Sequence, residues 1–244
     1  PYLHWAAAAE TGTKVRQSRD SKTENTERTT EHTVDIERES YYVDVKMNAE
    51  DTALLVEIGS GGLHTTEQAL LAALHSLPRD FPDTYSGDSL EIDLEGHGRD
   101  VVPGLDVSRT VGWFTRISKA SLPLPLGGED VRISSGESLA GARKALASAR
   151  DDASPRARSN ALIVFNFFGR LSESIGEDVD WKVGHYPVLD RTARSPRNSR
   201  AHATVLDVSI VAGTLRAAWQ FPGSISESRG ADIARGWLDE VRSI

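Results

Sequence analysis

The sequence predicts an α/β sandwich, with helices and strands alternating over one core. Three observations predict it. Residues 161–168 form a nearly continuous apolar run, as expected of a central strand buried on both faces. Two segments, 202–211 and 214–221, flank Ala212-Gly213 and read as a hairpin. Residues 65–77 place apolar side chains at helical spacing, the pattern of an amphipathic helix.

The remaining elements follow in order. Residues 2–10 read as a short alanine-rich helix, and 11–38 as a polar loop rich in Thr, Glu, Arg and Ser. Residues 41–47 alternate and are rich in Tyr and Val, so they predict a strand. Asn48 then caps a helix through Ile58, with Glu50 and Asp51 in its first turn, where the helix dipole favours carboxylates. Glycines between 59 and 62 end it. Residues 90–94 alternate Leu and Ile with Glu and Asp and predict a strand that delivers Glu95 at its C-terminal end. A second strand is expected at 111–117, followed by a loop at 122–126 in which Leu alternates with Pro. Residues 138–150 predict a helix rich in Ala, Lys and Arg. The 170–200 segment, with Gly, Pro, Asp and Arg, is expected to be a long irregular insertion or flap. A helix at 227–241 closes the chain. No internal repeat or heptad pattern is present.

Composition narrows the function. The chain has 244 residues, 39% hydrophobic and 26% charged, which suits a globular protein. Its formal net charge of -8 argues against nucleic acid or an anionic membrane as partner. There is no cysteine, hence no disulfide framework and no thiolate metal site, which fits a reducing, cytoplasmic setting. No apolar stretch approaches the roughly 18 residues of a spanning helix. The first residues lack the basic and apolar regions of a signal peptide.

Three segments carry the chemistry: Glu95-Gly96-His97-Gly98-Arg99, Arg109-Thr110-Val111-Gly112-Trp113-Phe114 and Phe165-Asn166-Phe167-Phe168-Gly169. The first sets a carboxylate, an imidazole and a guanidinium in five positions spaced by glycines. Glu95 follows an apolar strand, a setting that suits a carboxylate to acid/base work. The alternative is a structural carboxylate held by backbone amides or by Arg99. His97 shares a face with Glu95 on an extended backbone, or else braces the turn through hydrogen bonds. Arg109 offers an always-charged fork to a carboxylate or carbonyl oxygen, or a salt bridge to Glu95 or Asp106. Trp113 and Phe114 read as core or cavity wall. Asn166 is an amide inside an apolar strand, where leaving it unpaired costs about 1–3 kcal/mol. It holds either a substrate oxygen or neighbouring backbone. His185, in Gly184-His185-Tyr186-Pro187, is a loop imidazole that can close over a pocket or lie on the surface. One His and one Glu are too few for a metal site. Neither Gly127-Gly128 nor the glycines at 59–62 make a phosphate loop, and no G-x-S-x-G nucleophile motif occurs.

In order and spacing, the three segments resemble those of the epimerization domains of nonribosomal peptide synthetases, in the condensation-domain superfamily. The family pattern runs E-G-H-G-R-E, then R-T-V-G-W-F-T, then F-N-Y-L-G-Q-F-D. Asp100 stands where the family has Glu, the second segment matches through Thr115, and Phe167 stands where the family has Tyr. The likeness extends from about Tyr2 to Trp237. It implies a single chloramphenicol-acetyltransferase-like lobe over 1–244, matching the family's C-terminal half. It implies Glu95 as an acid/base group for a proton at the substrate Cα, with Arg109 lining the site; Arg109 and Asn166 are expected to polarise the substrate. His97, Trp113, Phe114, Phe167 and His185 would then line the substrate. No cofactor is implied.

The family's first half carries H-H-x-x-x-D-G, whereas none of the seven histidines here adjoins another. Three functions follow as expectations. The first is a cofactor-independent isomerase or cyclase of peptide-derived or alkaloid secondary metabolism. The second is half of a split epimerization or condensation domain acting on carrier-tethered peptidyl substrates. The third is a non-catalytic docking module. A homodimer, or a partner lobe on another chain, is expected to cover the exposed inter-lobe surface.

Overall fold

In the computed structural model, residues 40–60, 65–80, 88–99, 104, 106–124, 134–151, 161–171, 195, 197–200 and 202–244 are described. They belong to one unit, 34–244. The helix expected at 2–10, the loop at 11–38 and most of 170–200 lie outside the described residues.

Among the described residues, six strands form one mixed sheet: β1 (Tyr41–Lys46), β2 (Ser89–Gly96), β3 (Arg116–Pro123), β4 (Ile163–Arg170), β5 (Thr204–Val211) and β6 (Thr214–Phe221). Their spatial order is β1-β6-β5-β4-β2-β3. The β2–β4 and β4–β5 pairs are parallel, and the rest are antiparallel. Among the described residues, four α-helices accompany the sheet: α1 (Ala49–Ser60), α2 (Thr66–Ala72), α3 (Ser135–Asp151) and α4 (Glu227–Ser243).

Strand alternation divides the sheet into two chemically distinct faces. Leu90, Ile92 and Leu94 of β2, Phe165 of β4, Leu206 and Val208 of β5, and Trp219 of β6 point into one buried cluster. That cluster also takes Leu55 of α1, Leu70 of α2, Leu146 of α3 and Trp237 of α4, so the described helices cover this face. The opposite face presents Glu91, Asp93 and Glu95 of β2, Asn166 of β4 and Asp207 of β5, and no described helix packs on it.

Local chemistry explains the helix starts. The Asn48 side chain accepts from the Asp51 amide at 2.7 Å, the expected cap. Thr65 and Gln68 form a reciprocal capping box. Beyond Ala72 the expected helix tightens into a 3-10 stretch, Ala73–Asp80. α3 begins at Ser135, three residues earlier than expected. Ser134 and Glu137 cap it: the Ser134 amide donates to Glu137 at 3.1 Å, and the Glu137 amide donates to the Ser134 hydroxyl at 3.3 Å. The Ser134 hydroxyl and amide hold the Glu137 carboxyl below the usual carboxylate range.

One strand is displaced from its expected place. The second strand of the motif region is β3 at Arg116–Pro123, not 111–117. Val111 and Trp113 lie fully or almost fully exposed, so their β propensity finds no surface to pack on. Ala120 and Leu122 do find one, and they define the strand. Pro123, expected in a loop, is tolerated because β3 is an edge strand. The next amide, Leu124, donates to Asp88 at 2.9 Å, so the Pro123 nitrogen faces away from β2.

The β5–β6 turn is a two-residue hairpin loop with φ of 49° at Ala212 and 73° at Gly213, the type I′ pattern. A left-handed alanine costs about 1–2 kcal/mol. Ala212→Gly is therefore expected to raise stability by somewhat less than that, because glycine also loses more entropy on folding. A thermal melt should show a gain of about 2–4 °C per kcal/mol recovered.

Candidate functional site

β2 brings Glu95 to the face opposite to the described helices because its alternate residues Leu90, Ile92 and Leu94 are drawn into the core. The sheet register then sets its neighbours. Glu95 is the Cα partner of Ile117 on β3 and of Asn166 on β4. Asn166 is in turn the partner of Asp207 on β5. Residues level with one another on adjacent strands share a face. Glu95, Asn166 and Asp207 thus form one polar row across three strands. Glu95 and Asn166 are each half-buried, and neither side chain has a hydrogen-bond partner among the described residues.

Beyond Glu95 the chain turns sharply. Gly98 has φ of 58°, and a Cβ at that position would collide with the carbonyl oxygen of Phe114. Gly98 thus lets the first motif pack directly on the second. Arg99, not Arg109, ties them together. Its Nη1 donates to the Val107 and Thr110 carbonyls at 2.6 and 2.8 Å, and its guanidinium lies 4.5 Å from the centre of the Phe114 ring. His97 accepts the Arg99 amide on Nδ1 at 3.0 Å, so the imidazole braces the turn. Asp106 accepts the Ser108 amide at 2.9 Å, and the Ser108 hydroxyl and amide hold its carboxyl below the usual range.

Gly98→Ala is expected to break this packing, because both the left-handed backbone and the Phe114 carbonyl oppose it. The backbone alone costs about 1–2 kcal/mol. Amide exchange over 106–115 should rise while the core strands stay protected.

The other expected site residues are distributed differently. Arg109 is exposed and has no ion pair with Glu95, Asp106 or any other described residue. Trp113 is 88% exposed, so it walls no cavity among the described residues. Phe114 is half-buried beneath Arg99. Phe167 packs against the hydrophobic core, on the strand face opposite to Asn166. His185 lies outside the described residues.

A pair that the motifs do not announce lies beside the row. Asp93, two residues before Glu95, has a side chain only 3% exposed, and its Oδ2 meets His202 Nε2 at 2.8 Å. The signal for Asp93 is a carboxylate between two core residues, which demands a partner. His202 lies 109 positions away, so only the fold identifies it. Among the described residues, no group of three or more His, Asp or Glu side chains is placed to hold a metal ion. No described helix is long and apolar enough to cross a membrane.

No family model matches the chain. Curated relatives do. A linear gramicidin synthase of Brevibacillus parabrevis is 28% identical over 218 residues, covering 83% of this chain and 4% of that protein. Bacitracin synthase 3 of Bacillus licheniformis is 40% identical over 86 residues, covering 34% of this chain and 1% of that protein. The chain thus spans a small fraction of the synthetases it matches.

Among solved structures, the epimerization domain from the third module of tyrocidine synthetase B superposes with a TM-score of 0.65 at 17% identity. The match covers 99% of this chain and 54% of that one. The condensation domain of the Monacolin K polyketide synthase gives 0.56 at 15% identity, covering 88% and 48%. The X-domain of teicoplanin biosynthesis, solved in complex with OxyB, gives 0.58 at 16% identity, covering 86% and 46%. The chain spans about half the length of these domains.

Proposed function

We propose, for a chain with the fold of a condensation-superfamily C-terminal lobe and with nonribosomal peptide synthetases as its sequence relatives, that it moves a proton at the Cα of a peptidyl substrate. Glu95 is the general acid/base, and the substrate is carried as a thioester on a carrier protein. One observation supports the reading above the rest. Glu95 and Asn166 are Cα partners on adjacent inner strands, half-buried, with both side chains unpaired among the described residues.

That arrangement suits enolization. The Glu95 carboxylate removes the Cα proton, the C–H electron pair moves into the thioester carbonyl, and the Asn166 amide donates a hydrogen bond to the oxygen as it becomes negative. No cofactor is needed for this step. A second lobe, on another chain or on a second copy of this one, is the proposed partner that completes the substrate channel. Arg109 takes no part in the Glu95–Asn166 pair. An isomerase returns the proton to carbon, whereas a cyclase uses the enolate as a nucleophile.

The test is a peptidyl-pantetheine thioester incubated with the chain in D2O. Deuterium is expected to enter Cα with the wild-type protein and to do so far more slowly with Glu95→Gln. Equal rates would overturn the acid/base assignment.

A second reading, a docking module, is favoured by the exposure of Val111 and Trp113 on the 106–115 loop. It predicts that Trp113→Ala weakens carrier or partner-lobe binding, measured by titration calorimetry, while Glu95→Gln leaves binding and function alone.

A further inference from the structure

We infer that His202, held by Asp93, is a second proton-handling side chain of the same site, acting on the side of the substrate opposite to Glu95. The inference rests on the acid/base reading of Glu95. Asp93 and Glu95 stand at i and i+2 on β2, so both project from the face opposite to the described helices, about 6.6 Å apart along the strand. His202 reaches this point from the segment that leads into β5. It lies two residues before β5, and β4 sits between β5 and β2, so the ring spans the width of β4 to meet Asp93. On β4, Asp93 is level with Val164 and Glu95 is level with Asn166, so the carboxylate that holds the imidazole stands one pleat from the Glu95–Asn166 pair.

The pair fixes the imidazole's chemistry. An ionised carboxylate only accepts hydrogen bonds, so Nε2 carries the proton shared with Asp93 Oδ2 at 2.8 Å. Nδ1 is then the nitrogen left to face a substrate. It has no hydrogen-bond partner among the described residues, and the side chain remains 12% exposed. A buried carboxylate that orients one imidazole nitrogen and leaves the other for chemistry is the arrangement of a general base. The charged groups on this sheet face nearest the ring are Asp93, Glu91 and Glu95 on β2, Lys119 level with Asp93 on β3, Asp207 level with Asn166 on β5, and Arg200 just before β5. His97 is not equivalent to His202, because its Nδ1 is occupied by the Arg99 amide.

In one direction the Glu95 carboxylate takes the Cα proton, the electron pair passes into the carbonyl, and the Nδ1 proton of the His202 imidazolium is delivered to the other side of the carbon. In the reverse direction neutral His202 takes the proton and protonated Glu95 returns one. Exchange with water resets both groups. Asp93 acts through His202 and is a positioning residue.

The experiment uses the full chain in D2O with a peptidyl-pantetheine thioester prepared separately as the L and the D epimer, with Cα deuterium read by mass spectrometry. Wild-type protein should exchange both epimers. Glu95→Gln is expected to suppress exchange from one epimer by at least about 100-fold, and His202→Gln to suppress it from the other by a similar factor. Asp93→Asn, which keeps the shape of the pair, should alter the pH profile of the His202-dependent epimer only. Equal loss from both epimers in His202→Gln and Asp93→Asn, or no loss from either, overturns the role of His202 and leaves that of Glu95 standing. Undiminished exchange from both epimers in Glu95→Gln overturns the Glu95 reading instead.

Discussion

Glu95→Gln is expected to slow Cα proton exchange by about 10²–10⁴-fold, the usual contribution of a positioned acid/base group. The substitution keeps the shape and the hydrogen-bonding reach of the side chain and removes only its ability to hold a proton. Glu95 is half-buried at the end of β2 and makes no hydrogen bond or ion pair with a described residue, so little folding energy depends on its charge. Thermal stability should therefore stay within about 0.5 kcal/mol of wild type, as for substitutions away from structural networks. Glu91→Gln provides the control. Glu91 projects from the same face of the same strand but is exposed and is level with Ser121 of the edge strand β3. It should leave the exchange rate unchanged. A rate loss confined to Glu95, without a stability loss, separates chemistry from scaffolding.

Trp237→Ala is expected to destabilise the fold by about 3–5 kcal/mol, the range for emptying a large aromatic from a core. Trp237 is 1% exposed on α4 and meets Trp219 of β6 edge-on, with ring centres 5.6 Å apart. Trp219 in turn stacks on Phe221 at 5.6 Å, and Phe221 contacts Tyr41 of β1 at 5.8 Å. The Trp237 indole also donates to the Leu70 carbonyl at 3.3 Å, so one ring joins α4, α2 and the sheet. Removing it opens a cavity and takes a hydrogen-bond donor from a buried carbonyl. Urea unfolding should show a lower midpoint at an unchanged slope. Trp113→Ala, at an almost fully exposed position, should change stability by no more than about 0.5 kcal/mol.

Local signals are legible where they act over a few residues. Asn48, the Thr65–Gln68 pair and Ala212-Gly213 each mark a boundary that the structure keeps. The Ser134–Glu137 cap is equally local, and it sets the start of α3 ahead of the apolar periodicity that predicts the helix from 138. The strand expected at 111–117 marks the limit of such signals. Val, Trp and Phe favour strands only where a face exists to bury them, and in this fold that face lies further along, under Ala120 and Leu122.

The sequence by itself determined that Glu95 ends a half-buried strand, since alternation is a property of the strand alone. It also determined that Asn166 is a polar residue in an apolar run. Only the tertiary structure decided that the two are neighbours, because the parallel pairing of β2 with β4 depends on how the crossover packs. It likewise chose Arg99 over Arg109 as the residue that joins the first two motifs, since the loop carbonyls converge on Arg99. And it brought His202 to Asp93 across 109 positions, because a buried carboxylate needs a hydrogen-bond partner wherever the fold places one.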